Sequence, residues 1–299
     1  MILYLSNGEQ IRGDLIKSAV LRSDLSPVPV TLEAEIRAGD EILDKMLEEG
    51  KTLTDAYDNA LQIVKSVRIS DRLVQGSREQ TGFRVTALLD ACAQVAYVRS
   101  RAIIKENTTL AAIYKAAGAT VGSVSSDFPV ARFYCPVGET PSFHIARVLQ
   151  EEGGVVRWKG SKLQFLGLKD MFNQKSVKTI PSNASENVQT GFLERHQVPW
   201  FFSLNESAGF VFGNRQKARA VRYSPFKNAQ KLQNMTRCLV LSKIARVDFD
   251  VRLRAGDIIE EEDASKYAVI TAAHVFKGGQ DQGGTPEAYT KLWLGVLEE

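Results

Sequence analysis

The chain has 299 residues, 44% apolar and 24% charged, an ordinary globular balance that is long enough for two or three units with separate cores. Its formal net charge of +3 is too small to announce a polyanion partner. No apolar run approaches the roughly 18 residues of a membrane-spanning helix, and Met1 to Leu5 lacks the basic and long apolar regions of a secretory signal, so a soluble protein not exported by that route is expected.

In chain order, Leu3 and Leu5, the Asn7-Gly8 turn signal, Ile11, and Leu15 into Leu21 predict an N-terminal hairpin. After Pro27 and Pro29, Val30, Leu32, Ala34 and Ile36 alternate with polar residues at the period of a half-buried strand. Asp40 is a candidate cap for a short helix with Ile42, Leu43, Met46 and Leu47 as one apolar stripe, stopped by Gly50. Strands follow over Leu61–Ile69 and Phe83–Leu89, separated by a polar loop from Ser70 to Gln80 around Gly76, and a helix is possible near Asp90 to Tyr97.

The character then changes. Asn107 or Thr108 can cap a helix carrying Leu110, Ile113, Tyr114 and Ala117, with Gly118 placed to stop it. A second helix starts at Thr140-Pro141, buries Ile145, Val148 and Leu149, and ends at Gly153. Val155 to Trp158, the Lys159-Gly160-Ser161 turn and Leu163 to Leu166 read as a hairpin, completing a small α/β unit. Lys169 to Gln189 is polar and contains Pro181, which suggests a linker.

Strand signals return at Leu239–Leu241, Val247–Leu253 and Ile258–Ile259, with Ala255-Gly256-Asp257 as a turn. Tyr267–Phe276 and Tyr289–Leu297 are apolar at nearly every position, as strands buried on both faces would be, and the glycine-rich tip from Lys277 to Ala288 joins them. No short repeat is visible, although the two β-rich thirds are candidates for diverged copies of one unit.

The usual chemistry is missing. His144, His196 and His274 are isolated from one another and from the cysteines Cys92, Cys135 and Cys238, whose odd number and wide spacing indicate neither a disulfide framework nor a zinc ribbon. No GxSxG, GxGxxG or GxxxxGK[ST] occurs, and the glycine-rich tip leads into a strand, so no helix N-terminus is there to hold an anion. A glycosidase carboxylate pair is defined by separation in space and leaves no sequence signature, but every segment is already used and no extra hydrolase domain remains. Catalytic, cofactor and metal sites are therefore all expected to be none.

Charge distribution is more informative. From Ser207 to Val247 there is no acidic residue, while Arg215, Lys217, Arg219, Arg222, Lys227, Lys231, Arg237, Lys243 and Arg246 fall there, interleaved with Tyr223 and Phe226. That stretch offers a nucleic-acid-binding alternative, weighed against a solvated face or an assembly interface. Acid clusters instead at Asp40–Glu49 and at Glu260, Glu261, Glu262 and Asp263, an asymmetry suited to assembly.

The segment from Ser142 through Gly153, Val155, Trp158 and Gly160 to Phe165 resembles a module of phage late control protein D and baseplate hub proteins. So does Leu253-Arg-Ala-Gly-Asp-Ile-Ile followed by Tyr267 to Phe276 and Tyr289 to Leu294, a turn preceding a strand that ends near a histidine. The resemblance covers about residues 100–299 and implies a mainly β fold with an α/β insertion, namely two β-barrel domains related to tail-tube barrels plus a small α/β domain. The implied division is a first barrel at 1–105, the α/β domain at 106–170, a linker at 171–190 and a second barrel at 191–299. It further implies a non-enzymatic baseplate hub of a contractile phage tail, a homotrimer whose six barrels adapt a sixfold tail tube to a threefold spike and form part of the genome-delivery channel. The implied partners are the tail spike, tail tube and tape measure proteins and other baseplate proteins, in the virion and, during assembly, the host cytoplasm. A hub with cell-wall hydrolase activity is the remaining alternative.

Overall fold

A computed structural model describes all residues except 39–40, 72–79, 123, 189–198, 216–219, 280–284 and 299. The proposed Asp40 cap, Gly76, His196, Lys217, Arg219, Gly283 and Gly284 lie outside the described residues.

The N-terminal third contains β1 (Leu3–Leu5), β2 (Ile16–Asp24), β3 (Val30–Arg37), α1 (Glu41–Met46), β4 (Thr52–Asp55), β5 (Ala60–Asp71) and β6 (Gln80–Leu89), then a short helix α2 (Asp90–Ala93). The middle holds β7 (Ile103–Thr109), α3 (Leu110–Ala116), β8 (Val124–Ser125), β9 (Pro129–Cys135), α4 (Pro141–Glu151), β10 (Gly154–Lys159), β11 (Lys162–Gly167) and α5 (Leu168–Met171). The remainder runs β12 (Ser176–Ile180), β13 (Ser185–Asn187), β14 (Trp200–Leu204), β15 (Phe210–Phe212), β16 (Val221–Tyr223), α6 (Ala229–Met235), β17 (Cys238–Asp248), β18 (Ile258–Glu261), β19 (Lys266–Lys277) and β20 (Glu287–Glu298).

Several local expectations hold. Gly160 and Ser161 both have positive φ (59° and 56°), the backbone of a two-residue turn whose twist matches its strands, and Lys159 pairs with Lys162 across it. Pro141 opens α4, which buries Ile145, Val148 and Leu149. Thr109, rather than Asn107 or Thr108, caps α3, its hydroxyl accepting from Ala112 N at 3.3 Å.

Other expectations need correction. The Asn7-Gly8 hairpin forms, with Leu5 N donating to Glu9 O at 2.8 Å and Ile11 N to Leu3 O at 2.9 Å, but its returning arm stops at Ile11 and does not continue into β2, which pairs with β3 while β1 pairs on its other side with β4. Ile42 is 59% exposed, so the α1 stripe consists of Leu43 and the half-buried Met46, with Leu47 buried just beyond it. The expected strand at Leu239–Leu241 extends as β17 through Val247 to Asp248, and the rest of the expected Val247–Leu253 strand is turn and irregular chain. The supposed linker carries β12 and β13; alternate exposure along Ser176–Ile180 lets its polar residues face outward while Ile180 enters the core. β20 alternates in burial instead of being covered on both faces.

The β-rich thirds are not separate closed barrels. The described strands form one twelve-stranded sheet along β1-β4-β5-β6-β3-β2-β19-β20-β17-β13, with β18 and β12 branching from β19. The join is the antiparallel β2–β19 ladder, from Ser18 opposite Lys277 to Asp24 opposite Thr271. On each side of it lie four strands of the sheet, and each half adds a two-stranded extension, β1–β4 paired through β4 to β5 in one and β12–β18 paired through β18 to β19 in the other. In the second half the bulge between Val269 and Thr271 divides one edge of β19, giving Ala268 and its predecessors to β18 and Thr271 onward to β2.

One hydrophobic core runs from the first half into the α/β unit, joining Leu32, Ile63 and Leu89 to Tyr114, Ile145 and Trp158. Tyr114, fully buried, donates its hydroxyl to Pro27 O at 3.0 Å, tying α3 to the β2–β3 turn. The second half has its own core around Ile180, Ala245, Ile259 and Leu292. No helix among the described residues is long and apolar enough to cross a membrane.

Candidate assembly surface

Eight strands, β5-β6-β3-β2-β19-β20-β17-β13, form a continuous antiparallel band with two contrasting faces. Because side chains alternate across a strand, register fixes which residues share a face. Leu32 and Ala87, Ala34 and Val85, Leu21 and His274, and Ala272 and Leu292 are opposite one another on the core face. Their neighbours Glu33, Thr86, Arg84, Arg22, Lys277, Lys291 and Arg246 lie on the other face.

On that second face, cations and carboxylates neutralise one another across strands. Arg84 meets Glu35 at 2.6 Å and Arg22 meets Glu33 at 3.1 Å, while Glu287 accepts from Arg246 and lies 3.3 Å from Lys277. Those two hydrogen bonds hold the Glu287 carboxyl below its ordinary range. Arg246 also covers the Tyr289 ring at 3.7 Å and Lys291 the Trp293 ring at 5.0 Å. Such exposed pairs add little stability; what they create is a polar face on which Glu33, Glu35 and Glu287 are each held by a cation, Glu287 by two.

The two ends of the band present strand edges. β4 covers β5 only from Ala60 to Gln62; beyond Ile63, no described strand pairs with its outer side, and Ser66 N donates instead to Glu49 Oε1 at 3.2 Å. At the far end, no described strand lies outside β13.

The α/β unit is fastened to both halves by a buried polar clamp. Trp158 Nε1 donates to Asn59 Oδ1 (2.8 Å) in the first half, and Asn59 in turn donates to Asp55 Oδ2 (2.7 Å). Arg157, beside it on β10, donates to Gly256 O (2.9 Å) and Asp257 Oδ1 (3.3 Å) in the second half. Its remaining donors reach Gln164 and Gln174. Asp257 also accepts from Lys159 (2.8 Å) and from Arg254 N (3.0 Å). Burial lowers the Arg157 pKa and Asp257 counteracts it. Gly256 has φ +82°, and a Cβ there would stand 2.8 Å from Arg157 Cδ, so glycine answers both the turn and the passing guanidinium. The Ala255-Gly256-Asp257 turn read from the sequence is thus a docking point, a role that turn chemistry alone does not signal.

The remaining candidates are dispersed. His274 is fully buried at the β2–β19–β20 junction, with Nδ1 3.0 Å from Thr290 Oγ1; burial, reinforced by Arg254, pushes its pKa down to about 4. His144 pairs with Glu139. Cys92 and Cys135 are buried, Cys238 is half-buried and none of the three is in a disulfide; burial pushes Cys92 up to about 12. No cluster of metal-ligating side chains occurs among the described residues.

The basic stretch is not one patch. Lys227 lies 2.7 Å from Glu151, Lys231 reaches Glu151 and Glu152 (3.8 and 3.5 Å), Arg237 bonds Asn234, Lys243 pairs with Glu261, and Arg246 is on the band. Arg215 stacks on Phe212, and Arg222 is exposed on β16.

No protein-family model matches the sequence, and no curated protein matches it. Solved structures do. A tail protein from Neisseria meningitidis MC58 superposes with a TM-score of 0.67 at 12% identity, over 99% of this chain and 95% of that one. The 43 kDa tail protein of prophage MuSo2 from Shewanella oneidensis gives 0.59 at 12% identity, over 98% and 96%. The E. coli c3393 protein, a type VI secretion component described as similar to the T4 bacteriophage tail proteins gp27 and gp5, gives 0.56 at 10% identity, over 95% and 74%. The chain therefore has the fold shared by these phage tail and type VI secretion proteins.

Proposed function

We propose that the chain is a structural hub subunit of a contractile phage tail or a related injection machine, working as a homotrimer that adapts a sixfold tube to a threefold spike. The observation that carries this reading is the eight-stranded band built of two similar halves, with one face in the core and the other polar. Eight strands alternate in direction, so the first and last run oppositely, and β13 of one copy can continue the antiparallel ladder onto β5 of the next.

Three such bands supply three times eight, or 24, strands and six similar halves. Barrels of about 16–18 strands already enclose an aqueous channel, so a ring of this size is wide. Its lumen would be the polar face, where pairing of cations with Glu33, Glu35 and Glu287 weakens the field on a passing polyanion. Sheet edges would thereby be removed by closure. The work is done by surfaces, without a reactive group; spike, tube, tape measure and other baseplate proteins are the partners this reading assigns.

Light scattering on the purified chain, alone and with the candidate spike protein, tests the reading. A trimer under either condition supports it, and a stable monomer under both removes it.

A further inference from the structure

The two-stranded sheet of β7 and β9 leaves one long side of β9 open. β7 pairs with β9 from Ile103 opposite Cys135 to Thr109 opposite Pro129, and no described strand lies on the other side of β9. A cleft of about 460 Å³ runs along that open side. Consecutive β9 residues, 130–134, border it, whereas no β7 residue does. Side chains on one face of a strand alternate, so an unbroken run marks the edge of the strand and not its face.

The facing wall is α4. His144, Arg147, Val148, Glu151 and Glu152 border the cleft, the spacing of one side of a helix. Pro225 and Phe226 close it at the connection from β16 to α6. Phe226 has φ +58°, a left-handed backbone disfavoured for a bulky side chain, and is 95% exposed. An aromatic ring held out against both strain and water is placed to cover whatever lies in the cleft.

The open edge specifies the kind of occupant. Outward N–H and C=O groups recur along such an edge, and an extended peptide supplies matching acceptors and donors. A phosphate backbone offers acceptors only. Charge narrows the choice further. Lys227 lies 2.7 Å from Glu151 and Lys231 3.5 Å from Glu152, so the carboxylates of the cleft are taken. Arg132 on β9 has the exposed Glu106 at 3.8 Å, and Arg147, exposed on α4, has no ion pair among the described residues. Two arginines are thus left that the cleft's own carboxylates do not neutralise.

We propose that this cleft takes an extended acidic segment of another protein, which adds to β9 as a strand and sets a carboxylate against Arg147. A second copy fits less well, because two β9 edges joined about a twofold axis would set Arg132 beside its counterpart. β9 is outside the eight-stranded band, so this docking is independent of the trimer.

Random peptides of about twelve residues, displayed and selected on the full chain, provide the test. Enriched peptides should carry Asp or Glu, and their binding should slow hydrogen exchange in β9. Methylating alternate backbone nitrogens of such a peptide should weaken it at least about tenfold, and so should Arg147→Glu in the protein. That change is at an exposed side chain, and an unchanged urea midpoint confirms folding. Exchanging the acidic residue of the peptide for Lys should restore binding to the Arg147→Glu variant. No enrichment, unchanged exchange in β9, or indifference to backbone methylation overturns the proposal. Equal binding to the natural chain and the Arg147→Glu variant does so too. Concentration-dependent self-association that protects the same β9 amides would give the edge to a second copy, and overturns the proposal equally.

Discussion

Replacing Asp257 by alanine should detach the α/β unit from the second half of the sheet. Asp257 is 2% exposed, and its two oxygens receive Arg157, Lys159 and Arg254 N. Arg157 is itself buried, with its other donors taken by Gly256 O, Gln164 and Gln174. Truncation therefore strands a cation that cannot reach water without breaking three further hydrogen bonds, a loss expected to cost about 3–5 kcal/mol. Lys159 adds little, since its side chain is 42% exposed. Asp257→Asn, which keeps an acceptor for Arg254 N, should cost less, about 1–3 kcal/mol. Urea denaturation gives the stabilities, and hydrogen exchange should show lost protection in β10 and β11 before β3 and β6. Combining Arg157→Met with Asp257→Ala should be milder than the sum of the two single changes. An alanine variant within about 1 kcal/mol of the natural chain, with unchanged exchange, would refute the clamp as an energetic link.

Gly256→Ala combines a disfavoured φ with a Cβ driven against Arg157, and urea midpoints should show it destabilised by about 1–3 kcal/mol. His274 gives a pH signature. The unfolded chain takes up a proton near the ordinary value of 6.5, the folded chain only near about 4, so stability falls as pH drops through that window. At about 1.4 kcal/mol per unit the loss is about 3 kcal/mol, and a His274→Gln variant should lack this component in urea titrations at successive pH values. Arg68→Pro should remove an outward-facing N–H from the β5 edge while sparing the β6 ladder, because Ser66, two residues earlier, also points its N–H outward. Light scattering should then show monomers with an unchanged circular dichroism spectrum, whereas a trimer as stable as the natural one would place the copy-to-copy contact elsewhere.

Local physics was legible in the sequence. Alternation in Val30–Arg37, the Gly160-Ser161 turn and the Thr140-Pro141 helix start each depend on neighbouring residues, and each stands where the pattern put it. The site was less legible, because its parts are brought together by pairing over long separations. Asn59 and Trp158 are 99 residues apart, as are Arg157 and Gly256. Polar β12 looked like a linker because burial of a short strand shows only once β18 lies beside it. The basic run read as a single stretch, yet its cations went to α4, Glu261, Glu287 and the Phe212 ring, since proximity along a chain that keeps changing strands says little about proximity in space. By itself the sequence determined periodicity, turn chemistry, the Pro141 helix start and an uneven charge distribution, all set by residues within a few positions of one another. Only the tertiary structure decided that β2 joins β19, making one band of two similar halves, because strand pairing is chosen by the burial and register of residues some 250 positions apart, such as Asp24 and Thr271 joined at 2.7 Å.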